Sequence, residues 1–133
     1  MRCPAVLLVL LLNTSLMAHP ARRHTRLNDP SYSTALATAN RFLHTWQTQD
    51  HEAGIMMLSD RARAHASRDE LQAFFSPSEQ AAFEIQHGTR VNGGEYVFPV
   101  VLFGLADNAQ PPHICRIIIM RTSKGDWVVD KLP

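Results

Sequence analysis

Histidine supplies most of the chemistry this sequence could offer, with seven residues whose spacing decides what that chemistry is. His19 and His24 precede any patterned stretch, and His51 and His65 lack a second ligand four residues away, so no zinc-type pair forms. His87 differs, because it alternates with Phe83, Ile85 and Val91, and a polar group on such a face either lines a pocket or sits at a sheet margin. His44 adjoins an apolar helical stripe, and Tyr96 is the one tyrosine on a predicted strand. His87, Tyr96 and His44 are therefore the candidate ligand-binding residues, with His87 and Tyr96 the pair able to handle protons in an enzyme. Other templates fail. Asn92-Gly93-Gly94 is hairpin chemistry rather than a phosphate loop, no Gly-x-Ser-x-Gly elbow exists, and Cys115 has no evident base. Met56 and Met57 read as core filler. The sequence assigns no catalytic residue, no metal ligand and no cofactor.

The first residues have the organisation of a secretory signal peptide. Met1-Arg2 is a short positive start, Ala5–Leu12 an apolar core, and Asn13–Ala18 a more polar exit, with cleavage expected after Ala18. That apolar core is far shorter than the ~20 residues a membrane span needs. Export to the periplasm or the medium is the expected address, with an uncleaved membrane anchor as the alternative; Arg22, Arg23 and Arg26 just beyond the core favour retention of that flank. Loss of Arg2 brings the 13 basic residues level with the 12 acidic ones, and loss of Cys3 leaves Cys115 alone, so no intrachain disulfide can form. A neutral chain gives no reason to expect nucleic acid as a partner. Residues 19–29 are basic and aperiodic and read as a flexible lead-in; residues 30–133 are long enough for one domain with its own core.

Those elements begin with a helix at Pro30, capped by Asp29, whose inward stripe is Leu36, Ala39, Leu43 and Trp46, with Tyr32 a turn earlier and Phe42 alongside. A second helix follows Asp50, with Ala53, Met56 and Met57 inward. Ser67-Arg68-Asp69-Glu70 is a capping box opening a third, short helix that ends before Pro77. From Ala82 the period becomes two, placing Phe83, Ile85, His87, Thr89 and Val91 on one face and Glu84, Gln86 and Arg90 on the other. Three long runs complete the chain: Glu95–Ala106, His113–Thr122 and Asp126–Leu132. Pro99 predicts a bulge or an edge position within the first of them.

Two of those runs are apolar on both alternating faces. Cys115, Ile117 and Ile119 oppose Ile114, Ile118 and Met120, while Val97, Val101 and Phe103 oppose Tyr96, Phe98, Val100 and Leu102. Three modest helices can cover one face of a four-stranded sheet, and the other would expose more apolar area than monomers tolerate. A homodimer through the outer sheet face is the expected remedy.

Phe42-Leu43-His44-Thr45-Trp46, then Asp50 and Ala53–Leu58, and the closing Gly125-Asp126-Trp127-Val128-Val129 resemble the nuclear transport factor two-like, or cystatin-like, superfamily. The resemblance implies an α+β fold in which N-terminal helices pack inside a curved antiparallel four-stranded sheet, a cone often with a pocket at its mouth. It also implies that homodimers are common. The superfamily contains isomerases, dehydratases, cyclases and many non-enzymatic exported domains, so function must come from site residues. The isomerases' strand carboxylate opposed by tyrosine and a second acid has no match among Glu84, Glu95 and Asp130. The expected function is an exported, non-enzymatic domain binding a small apolar ligand or an envelope protein; the alternative is an isomerase or dehydratase with a cone-shaped pocket.

Overall fold

The computed structural model describes residues 29–105 and 111–133; the signal-peptide pattern, most of the expected lead-in and residues 106–110 lie outside them. Helix α1 (Pro30–Gln47) starts where Asp29 accepts a hydrogen bond from the Ser31 N–H at 3.0 Å and Pro30 needs no partner for its nitrogen. Its buried side is Ala35, Thr38, Ala39, Phe42, Leu43, Thr45 and Trp46. Phe42 thus sits mid-stripe, and Leu36 falls to the flank. The helix ends in a Schellman arrangement, with Asp50 N–H on Thr45 O (2.8 Å) and Gln49 N–H on Trp46 O (3.1 Å). Gln49 holds the left-handed position (φ 59°) that glycine usually takes, and its side chain is tied to Pro77 O at 3.0 Å.

Asp50 then caps α2 (His51–Met56), accepting from Ala53 N–H at 3.1 Å. Met56 is 74% exposed, against the inward expectation, while Leu58 is 1% exposed. The helix stops at Met56, and the chain runs beside the last strand: Val129 N–H donates to Met57 O (2.9 Å) and Ser59 N–H to Val129 O (2.8 Å). That extended pairing, not helical period, aims Leu58 into the core. A short helix α3 (Asp60–His65) follows, capped by Ser59; periodicity did not announce it because only Ala62 of its residues is buried. Helix α4 (Arg68–Phe74) carries the expected capping box, with both Ser67–Glu70 hydrogen bonds formed, and the Ser67 N–H on the Glu70 carboxylate holds that carboxyl below its usual range.

The sheet has five strands, β1 (Ala82–Ile85), β2 (Thr89–Asn92), β3 (Glu95–Phe103), β4 (His113–Arg121) and β5 (Trp127–Lys131), in the order β1-β3-β4-β5. The fifth arises because the expected first strand is broken, both halves pairing antiparallel with one edge of β3. Ile85 pairs with Val100 and Thr89 with Val97, so Gln86, His87 and Gly88 face only Phe98 and Pro99. Pro99 brings no N–H to the ladder, and its carbonyl accepts from Gln86 N–H at 2.9 Å. The extra residue reverses the alternation. Phe83 and Ile85 face the core, as does the register position of Arg90 opposite Tyr96, whereas Thr89 lies opposite outward Val97. The single continuous face expected for Phe83 through Val91 is therefore replaced by two half-strands in opposite phase.

Tyr96, Phe98, Val100, Leu102, Ile117, Ile119 and Val129 form the inner face and are buried in one cluster with the helices. On the outer face Val97, Val101, Ile118, Met120 and Val128 are half-buried, while Phe103 is 38% and Ile114 78% exposed. Helix α2 reaches the core through Gly54, where an added Cβ would lie 2.3 Å from the Phe75 ring. Gly54→Ala is expected to cost about 1–3 kcal/mol by overpacking, read from urea unfolding; an unchanged midpoint would show that Phe75 yields freely.

Candidate functional site

At one end of the sheet the cap of α1 meets a set of aromatic side chains. Tyr96, fully buried, donates its hydroxyl to the Asp29 carboxylate at 2.7 Å. Its ring packs edge-on against Tyr32 (5.8 Å between centroids) and beside Trp127 (5.8 Å), and the Arg90 guanidinium lies 5.9 Å from its centre. Tyr32 accepts from Gly88 N–H at 3.2 Å and sits 3.3 Å from His87 Nδ1. The close approach needs glycine: a Cβ at Gly88 would stand 2.4 Å from the Phe98 ring.

Of the three sequence candidates, His87 and Tyr96 meet in this cluster, linked through Tyr32, and His44 is exposed along α1 and does not join. Asp29, Tyr32 and Arg90 complete it. Asp29 was legible only as a helix cap, and Arg90 lay on the wrong face until the break at Gln86–Gly88 moved it.

The charge states follow from these contacts. The Tyr96 hydroxyl holds the Asp29 carboxyl below its ordinary value against the opposing effect of burial, with Ser31 and Tyr32 N–H and Arg90 adding to the lowering. Burial first, then the Asp29 charge, pushes the Tyr96 phenol up. Carboxylate and phenol are thus driven apart, an ionised acceptor and a protonated donor, which makes a fixed latch rather than a proton relay. Burial likewise pushes the Cys115 thiol up, and its S–H lies 3.6 Å from Val100 O, so it packs rather than reacts.

A second feature lies at the β5 margin. Leu58, Ser59, Arg61, Met120, Val128 and Asp130 line an open groove of about 590 Å³. The Asp130 side chain, 3% exposed, is an inserted residue between the Ile119–Val129 and Ile118–Lys131 pairs. Ser59 Oγ donates to it at 2.7 Å and Arg61 grips both its oxygens, tying α3 to the sheet. Among the described residues no group of three His, Cys, Asp or Glu could hold a metal, and no helix is long and apolar enough to cross a membrane.

Helices in a curved antiparallel sheet are also found in a ketosteroid isomerase-like protein from Erwinia carotovora atroseptica, which superimposes with a TM-score of 0.55 at 14% identity over 77% of this chain and 93% of its own. The fold is the nuclear transport factor two-like cone. The CamKII hub homology domain from Chlamydamonas reinhardtii aligns with a TM-score of 0.47 at 12% identity, covering 74% of this chain and 92% of that one. No protein-family model and no curated protein matches the sequence.

Two expectations test the cluster. Tyr96→Phe lowers the thermal midpoint by a few degrees near neutrality, since it removes one hydrogen bond to a charged group. Asp29, with its folded value lowered, contributes above the ordinary 3.8 and loses that contribution as the pH falls through the folded value; Tyr96, raised, contributes below the ordinary 10.0 and loses it as the pH rises through its folded value. The gap between wild type and Tyr96→Phe should be full between those limits and shrink outside them; a gap flat from acid to alkali would deny the latch. His87→Ala should leave the midpoint within about 2 °C, because the ring is exposed and its one hydrogen bond is long.

Proposed function

We propose that this chain is an exported, non-enzymatic binding domain that works as a homodimer through the outer face of its sheet. The observation that carries the reading is where apolar surface remains. Met56, Val91, Phe103 and Ile114 are the large apolar side chains left exposed among the described residues; Phe103 and Ile114 lie on that face by register, and Met56 borders it beside Met120 and Val128. The inside of the cone, by contrast, is occupied by Phe42, Trp46, Phe74, Phe75, Tyr96 and Phe98. A small apolar ligand or an envelope protein would then meet the domain on its surface. Export is supported by the Met1–Ala18 pattern.

The isomerase or dehydratase alternative has one point in its favour, a carboxylate within hydrogen-bond reach of Tyr96. Asp29 is a poor base because the contact that brings it there also holds it ionised, and Tyr96 is a correspondingly reluctant acid.

Light scattering on residues 19–133 should give a dimer at micromolar concentration. Ile114→Asp should convert it to a folded monomer, since Ile114 is 78% exposed and contributes little to the core. A wild-type monomer, or an Ile114→Asp variant that dimerises as before, contradicts this use of the face.

A further inference from the structure

We infer that Asn92-Gly93 is a self-modifying site, in which the Gly93 nitrogen attacks the Asn92 side-chain amide, expels ammonia and leaves aspartate or isoaspartate in the β2–β3 hairpin. The step is independent of ligand binding and of association between copies. Five asparagines occur in the chain, and Asn92 is the one followed by glycine, whose nitrogen no side chain of its own shields. Both residues are exposed, and a Cβ built on Gly93 would meet nothing within 4 Å, so the approach to that nitrogen is open. Among the described residues the Gly93 N–H makes no backbone hydrogen bond that would have to break first.

The dipeptide makes the reaction possible, and the hairpin supplies groups that assist it. An amide nitrogen becomes a nucleophile by losing its proton, which places negative charge on the carbonyl oxygen of the same peptide, here Asn92 O. Arg90 Nε donates to that oxygen at 2.9 Å, and its Nη2 donates to Gly93 O at 2.9 Å. A guanidinium on the oxygen that gains charge favours the deprotonated peptide. Attack on Cγ then moves charge to Asn92 Oδ1, which already accepts from Gly94 N–H at 3.1 Å. That N–H stands where an oxyanion donor is needed. Glu95 Oε2 accepts from Nδ2 at 3.0 Å, so the two partners fix which way the side-chain amide faces. The Oδ1–Gly94 bond closes an Asx turn, which folds the side chain back along the peptide that attacks it.

The atoms balance with water as the only co-reactant. A water-derived base takes the Gly93 proton, and the nitrogen's electron pair forms the N–Cγ bond. The Cγ–Nδ2 bond breaks, and Nδ2 departs as ammonia with a proton returned from water. Water next opens the cyclic imide. Cleavage at Cγ gives aspartate, whereas cleavage at the Asn92 carbonyl carbon routes the main chain through Cβ and gives isoaspartate. Either product adds a carboxylate and removes the Nδ2 donor from Glu95. Isoaspartate also moves Asn92 O, one of the two anchors that hold Arg90 beside the Tyr96 ring.

The purified protein, incubated folded at mildly alkaline pH, tests this by peptide mass spectrometry and by enzymatic methylation of isoaspartate. Conversion is expected to map to Asn92, and Asn92→Gln to abolish it. Arg90→Met, which keeps the length of the side chain without its donors, should slow conversion about threefold or more in the folded protein and leave the rate in urea unchanged. Arg90→Lys, which keeps the charge but not the fork, should fall between the two, with unaltered circular dichroism confirming the fold of each variant. An Asn92 that keeps its amide after weeks of incubation overturns the site. An Arg90→Met protein that converts at the wild-type rate or faster shows that Arg90 only braces the hairpin, and overturns the assistance assigned to it.

Discussion

The contact between α1 and the inner face of the sheet is the constraint on which the remaining structure depends. Phe42, Leu43 and Trp46 supply large side chains, Ala35 and Ala39 let the helix axis approach, and Tyr96, Phe98, Val100, Ile117, Ile119 and Val129 meet them from below. Burial of that many apolar groups is the main favourable term for a domain of this size, and Cys115, the one cysteine among the described residues, is free. One helix of 18 residues cannot also cover the other face. The same strands that make the inner core strong therefore leave Val97, Val101, Ile118 and Met120 only half-buried, with no covering element among the described residues.

Two of the sheet's irregularities give the molecule its polar features. The additional residue at Gln86–Gly88 resets the alternation, carries Arg90 to the side of Tyr96, and lets Gly88 approach Tyr32 and Phe98. The additional residue at Asp130 turns a carboxylate under α3, where Ser59 and Arg61 satisfy it. Each bulge re-aims one side chain that a continuous ladder would have pointed elsewhere.

Both polar clusters fasten the helical layer to the sheet. At the cone's end the Tyr96–Asp29 hydrogen bond favours the ionised carboxylate and the protonated phenol together, so the pair is most stable in the state where no proton moves. Its position suggests closure: the bond joins the first residue of the helical layer to the first turn of β3 and seals the aromatic set behind it. Asp130 does the same at the opposite margin, joining α3 to β5. The two contacts hold the helical layer to the sheet at separate points.

Local chemistry decided much of this by itself. Asp29-Pro30, Asp50 and the Ser67–Glu70 box start helices because a side-chain oxygen within three residues satisfies an otherwise unpaired N–H, and the alternation in β3 and β4 divides their residues between two faces whatever surrounds them. What the sequence could not decide is whatever depends on counting residues against a partner strand. Arg90 reached the inner register, and Asp130 its buried pocket, because three residues faced two and one faced none, quantities that exist only once strands are paired. Helix α3 and the inward turn of Leu58 belong to the same class, since both depend on the edge of β5 lying beside Met57–Ser59. The meeting of His87, Tyr32, Tyr96 and Asp29 likewise needed the folded chain, which brings together residues up to 67 positions apart.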